Sequence, residues 1–155
     1  MFERTTQLRF STEISTSPQA LYDFHTDTNN LLKIMPPWIK VNIVSLKLPM
    51  TQGEEVTLDI SRFGIRQRWK MRIAKLLSPK LVSDEAIESP FKSFVHHHSF
   101  EEIDKKRTKL CDELEFTLPF YPLNLIALAL IKKDINKLFD YRHKKTKLIL
   151  EKNNV

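Results

Sequence analysis

Residues 7–15 alternate, with Leu8, Phe10 and Ile14 set against Gln7, Arg9, Ser11 and Glu13. Period two predicts a half-buried strand whose inner face carries one polar member, Thr12. Ser17 followed by Pro18 opens a short helix that holds Leu21, Tyr22 and Phe24. A serine cap accepts from first-turn amides, and proline fits where no amide donor is needed. A second short helix is predicted over 29–34, stopped by Pro36 and Pro37. Strands follow at 39–48, 54–62, 65–77, 81–88, 91–103 and 107–118. After Pro119 and Pro122, inward positions recur every three or four residues through Leu125, Leu128, Ile131, Ile135, Leu138, Phe139, Arg142 and Ile149. They predict one long helix of about thirty residues. Its first half, 123–131, is apolar nearly all round, so either more than one face is expected to be covered or something apolar to lie against it.

The hairpin at Phe63-Gly64 fixes a register. A two-residue turn there sets Leu58 opposite Trp69 and Val56 opposite Met71 on one face, and Asp59 opposite Arg68 and Glu55 opposite Arg72 on the other. Both faces are self-consistent. The outer pairing also changes the meaning of Arg66, Arg68, Lys70 and Arg72, which alone would read as a basic stripe for nucleic acid. Acidic partners lie across the hairpin, and the interleaved exposed aromatics of single-strand readers are absent, so no nucleic-acid partner is expected.

The stretch around His96-His97-His98 carries the chemistry. As a strand it aligns Phe94, His96, His98 and Phe100 on one face, and Val95, His97 and Ser99 on the other. Keeping both inner rows inward, a three-residue loop at Asp104-Lys105-Lys106 places His98 opposite Asp112, Phe94 opposite Phe116 and Phe100 opposite Leu110. Three roles fit the His98–Asp112 pair: a buried, satisfied polar pair, a ligand contact, or a general base with its orienting carboxylate. The chain offers no evident nucleophile, metal set or oxyanion donors to accompany catalysis. Alternation turns His97 away and leaves His96 and His98 without a third ligand besides Asp112, so neither a metal nor another cofactor is expected. Arg142 reads either as a helix arginine reaching solvent or an acidic group, or as a cavity-mouth cation for a ligand carboxylate.

The chain of 155 residues, 41% hydrophobic and 10% aromatic, is one domain's length with ample material for one core, so 1–155 is read as a single domain. Its one cysteine, Cys111, excludes an internal disulfide or a multi-cysteine metal site. Residues 1–6 lack the apolar run of a signal peptide, and no segment reaches the roughly 18 apolar residues that span a bilayer. A cytoplasmic protein without integral membrane association is expected. Residues 152–155 are expected to be disordered. The net charge of +6 owes much to the last quarter of the chain, where a solvated helix face explains it as well as an anionic partner would. An apolar start and basic end also give the last helix the make-up of a peripheral membrane contact.

The order of elements and motifs resembles the START-like, or SRPBCC, superfamily. The motifs are Trp69 and Ile73, Pro90-Phe91, Phe94-x-His96-x-His98-x-Phe100, Thr108 with Asp112, Leu118-Pro119, and Phe139-x-Tyr141-Arg142. Ser89 and Phe94 stand where related ligand-binding members, labelled cell-division-inhibitor-like or polyketide cyclase/dehydrase-like, carry glycine and tryptophan. The resemblance implies an α+β helix-grip fold: a seven-stranded antiparallel sheet wrapped around a long C-terminal helix, with two short helices after the first strand. It also implies a cavity for a small hydrophobic or amphipathic molecule, as carrier or sensor. A cyclase or dehydratase using His98 and Asp112 for proton transfer is the alternative. The residues expected at the cavity are Trp69, Met71, Phe94, His96, His98, Asp112, Phe116, Leu128, Ile131, Ile135, Phe139 and Arg142. Thr12, Gln67, His96, His98 and Asp112 all fall on inner faces, and each would cost about 1–3 kcal/mol if left unsatisfied in a solid core.

Overall fold

The computed structural model describes residues 4–152. Strand β1 (Thr5–Ile14) is followed by helix α1 (Pro18–His25), a 3-10 turn (Thr28–Asn30) and helix α2 (Leu31–Ile34). Six strands follow: β2 (Lys40–Ser45), β3 (Glu55–Arg62), β4 (Ile65–Leu77), β5 (Leu81–Glu88), β6 (Ser93–Asp104) and β7 (Arg107–Thr117). Helix α3 (Asn124–Lys152) completes the chain. Of the segment expected to be disordered, residue 152 ends α3, and 153–155 lie outside the described residues.

All strand pairs are antiparallel, in the order β1-β7-β6-β5-β4-β3-β2, so the last strand closes back on the first while β2 forms the far edge. The β3–β4 hairpin has the expected register, Leu58 facing Trp69 and Val56 facing Met71. Its turn residues Phe63 and Gly64 both have positive φ, 52° and 75°, the backbone that matches the twist of a two-residue hairpin. Across the outer face Asp59 accepts from Arg68 at 2.9 and 3.0 Å, and Glu55 lies within 4 Å of Lys70 and Arg72.

In the β6–β7 hairpin the expected pairs His98–Asp112, Phe94–Phe116 and Phe100–Leu110 are present. The loop differs. Asp104 pairs with Arg107 across a two-residue turn, and a slip between Glu102 and Asp104 restores the pairing. The Asp104 carboxylate accepts from the amides of Lys106 and Arg107, which tightens the turn by one residue. Strand β2 ends at Ser45 rather than at 48, after a register break between Ile43 and Ser45. Two further shifts on β4, at Lys70/Met71 and Ile73/Lys75, add the local bends that let a sheet wrap a helix.

The apolar core is divided into three clusters. Ile14, Leu21, Phe24, Val82, Phe100 and Leu150 gather at the C-terminal end of α3 with α1. Leu114, Phe116, Ile135 and Phe139 lie under its middle, where Phe10 stacks on Phe139 with ring centroids 4.8 Å apart. Val56, Leu58 and Ile73 form the third, on β3 and β4. Buried positions on α3 are Ile135, Phe139, His143, Thr146 and Leu150, one stripe at intervals of three and four. α1 is held at its start by Ser17, whose Oγ accepts from the Ala20 amide at 3.1 Å. Replacing Ser17 with alanine is expected to destabilise the protein by about 1 kcal/mol. Urea unfolding should show a lower midpoint with an unchanged slope.

Candidate functional site

The three clusters enclose a cavity of about 480 Å³ rather than meeting in one core. That volume lies in the range of about 300–1,000 Å³ typical of small-molecule sites. Much of its wall is aromatic and aliphatic. Trp69 packs against Phe91 and Phe94 with ring centroids 5.6 and 5.2 Å apart, and Met71, Ile131, Ile135 and Phe139 continue the apolar surface. A polar group is set into it: His25, Asp84, His96, His98 and Arg142 all face the cavity. Near the surface, Arg62 of the β3–β4 hairpin pairs with Asp134 of α3, and both also line the cavity.

Of the residues expected from sequence, Trp69, Met71, Phe94, His96, His98, Ile131, Ile135, Phe139 and Arg142 line this cavity. Asp112, Phe116 and Leu128 stand behind the wall. Phe116 is fully buried against Phe91, and Leu128 packs into the cluster under α3.

Asp112 is the centre of the polar group although it does not reach the cavity. His96 Nε2 donates to Oδ1 at 2.7 Å, and His143 Nε2, from α3, donates to Oδ2 at 2.5 Å. His98 Nδ1 also lies 2.6 Å from Oδ1, but outside the angular range of a hydrogen bond. The contact is a close ion pair that brings His98 and Asp112 together as their register expects, while the well-aligned hydrogen bonds to the carboxylate come from His96 and His143. On its other side His98 Nε2 is 3.5 Å from Asp84 Oδ2. The imidazoles of His96 and His98 lie 3.8 Å apart, and His25 covers His98 at 5.0 Å. His97 alternates to the opposite face, where its Nδ1 lies 2.5 Å from Ser83 Oγ.

Charge in this cluster is balanced by position. Burial alone would lower the His98 pKa, but the carboxylates of Asp112 and Asp84 outweigh it and raise the value to about 9. His98 is thus an imidazolium at neutral pH. Burial and that neighbouring charge push His96 down to about 4 and His25 to about 3, so both are neutral. Burial opposes ionisation of Asp112 and Asp84, yet the imidazoles hold both below the usual carboxylate range. Burial lowers Arg142, and Asp112 and Asp84 act against that shift. Two carboxylates thus face two cations, the arrangement in which buried charge is tolerable.

Asp84 supplies the third ligand position that alternation alone did not reveal: ligand atoms of Asp84, His96 and His98 lie within 4.8 Å of one another. A divalent ion there would have to displace the His98 proton and sit near Arg142, which leaves the cluster with an excess positive charge.

Three functional candidates are additions of the fold. β5 pairs with β6 so that Asp84 faces His96 and Val82 faces His98. His143 follows Phe139 by four residues on α3, a spacing readable in the sequence. His25 ends α1, where its Nδ1 donates to the Leu21 carbonyl at 2.8 Å.

Residues 14–140 match the family described as "Polyketide cyclase / dehydrase and lipid transport", and the chain belongs to that family. No curated protein matches the sequence. Solved structures repeat the fold. A point mutant of norcoclaurine synthase from Thalictrum flavum superposes with a TM-score of 0.77 at 11% identity, over 100% of this chain and 99% of that one. A START superfamily protein from Mycobacterium smegmatis gives 0.72 at 14% identity, over 94% and 97%. Ginseng major latex-like protein 151 from Panax ginseng gives 0.64 at 14% identity, again over 94% and 97%. The helix-grip, START-like architecture expected from the motifs is the one present.

The pKa pattern gives stability a maximum near pH 6.5. A base whose folded pKa is raised, as for His98, contributes stability that is complete below the unfolded value of 6.5 and lost as pH climbs toward 9. Bases whose folded pKa is lowered, His96 and His25, withdraw stability as pH falls from 6.5 toward 4. Chemical denaturation midpoints measured across this window should fall on both sides of the maximum. His98→Asn should abolish the alkaline decline and leave a weaker acid limb, because burial still holds His96 and His25 down while the His98 charge no longer does.

Proposed function

We propose that the protein binds a small apolar or amphipathic molecule in the cavity, as a carrier or sensor. The observation that carries this reading is the cavity itself, about 480 Å³ of space among three apolar clusters with one charged, neutralised group in its wall. A solid core would have no use for that space, and a purely apolar ligand no use for the polar group. The body of the ligand lies along Trp69, Met71, Ile135 and Phe139. Its polar end, a carbonyl or hydroxyl, meets His98, Asp84 and Arg142. Because the two carboxylates already balance the two cations, a neutral polar end fits better than a free carboxylate.

Native mass spectrometry before and after denaturation would reveal a co-purifying molecule and its mass. Direct binding is read from Trp69 in a Trp38→Phe background, since these are the two tryptophans. An apolar probe should quench or blue-shift the Trp69 emission, and Ile135→Trp in a Trp69→Phe, Trp38→Phe chain should fill the space and weaken probe binding at least tenfold. A probe that leaves Trp69 emission unchanged and binds the filled variant equally well would remove the cavity from the account.

A second reading draws on the charge of His98. An imidazolium facing the cavity is a proton donor at neutral pH, so a cyclase or dehydratase here would begin with proton transfer from His98 to substrate, with Asp112 holding the ring. In that case His98→Asn would lower turnover of a polyketide-like substrate by about 10²–10⁴, the usual contribution of a positioned acid.

A further inference from the structure

One surface belongs neither to the core nor to the cavity. From Phe120 to Ile131 the chain has no charged residue, yet Phe120, Leu123, Ile126 and Leu130 are 81%, 74%, 81% and 70% exposed. The tip of the β3–β4 hairpin adds Phe63 at 86% and Ile65 at 63%. These two groups lie side by side: the Arg62–Asp134 pair ties the hairpin to α3 one turn beyond Leu130. Isolated exposed apolar side chains are ordinary, but a contiguous set of this size marks a surface that meets another phase or molecule.

The charges around the patch select among occupants. Leu123, in the turn just before α3, is followed at three and four residues by Ile126 and Leu130, and the same outward stripe continues through the exposed Lys133 and Lys137. The acidic groups nearby are engaged, Asp134 with Arg62 and Asp140 with Lys144. The same face of a second copy would offer these lysines no free carboxylate, because Asp134 and Asp140 are already paired. An anionic lipid surface would meet the apolar residues with its acyl boundary and the lysines with its phosphates. No helix among the described residues is long and apolar enough to cross a membrane, so the contact is interfacial.

We propose that the apolar start of α3 and the β3–β4 tip dock the protein on an anionic bilayer. Arg62, Ile131 and Asp134 line the cavity beside this patch, so docking places that end of the cavity against the membrane. Docking stands independently of the ligand-binding reading; only the passage of a ligand between bilayer and cavity rests on it.

The test is co-sedimentation of the full chain with vesicles of phosphatidylcholine alone and of phosphatidylcholine containing about 30% phosphatidylserine. Wild-type protein should partition at least tenfold better onto the anionic vesicles, and less so at high salt. Ile126→Ser with Leu130→Ser should cost tenfold or more on both, with an unchanged circular dichroism spectrum. Lys133→Ala with Lys137→Ala should abolish the preference for phosphatidylserine. Failure of the wild-type protein to sediment, or equal binding by all variants, overturns the proposal. So does a concentration-dependent dimer in light scattering that Ile126→Ser with Leu130→Ser dissolves, since the patch would then belong to a second copy. Trp69 probe binding in solution, measured on the same variants, should stay intact, which separates loss of docking from loss of the cavity.

Discussion

The carboxylate of Asp112 holds the interior together. It stands on β7, nearly free of solvent, and receives hydrogen bonds from His96 on the neighbouring strand and His143 on the helix across the core. A buried carboxylate without donors would be too costly to keep, so sheet and helix are bound to one mutual position by the need to satisfy it. The third imidazole, His98, completes the neutralisation as a charge held between Asp112 and Asp84. Removing Asp112 would leave a buried imidazolium without its nearer counter-ion, which is why this residue matters more than its absence from the cavity wall suggests.

The same constraint explains how a domain with an ample apolar complement keeps a cavity. His96, His98, Asp84 and Arg142 stand in the cavity wall between the apolar clusters, which therefore do not merge into one core. Trp69, Phe91 and Phe94 brace one wall through mutual ring contacts, and the stacked pair of Phe10 and Phe139 fixes α3 over β1. What results is an apolar chamber with a charged but balanced polar group. Such a chamber suits recognition of an apolar molecule with one polar end.

Local chemistry made much of this readable. The Phe63-Gly64 turn and the alternation on either side determine the β3–β4 register, because a slip of one residue would turn Trp69 and Met71 outward and bring their charged neighbours in. The same logic sets His98 opposite Asp112. It does not reveal which imidazole bonds the carboxylate, since backbone opposition fixes Cα positions while ring orientation decides the donor. The three-residue loop expected before β7 became a two-residue turn because Asp104 captures two amides, a side-chain effect outside strand periodicity. Asp84 was hidden for a different reason. The connection through Ser89, Pro90 and Phe91 carries no two-residue turn motif, so nothing local sets the β5–β6 register. Along α3, Leu138 leads by four to Arg142 and Phe139 by four to His143, and a stripe of helical width admits both. Helical spacing admits His143 as well as Arg142, but its part as donor to Asp112 depends on where the sheet lies.

Histidine-resolved NMR reads the protonation state of each imidazole around Asp112. Imidazole ¹³C and ¹⁵N shifts, followed from acid to alkaline pH, should show His98 protonated at neutrality and titrating near 9, while His96 stays neutral down to about 4. An Asp112→Asn variant should bring the His98 transition down by more than one pH unit. A wild-type His98 that titrates near 6.5, or one unmoved by Asp112→Asn, would contradict an interior organised around that carboxylate.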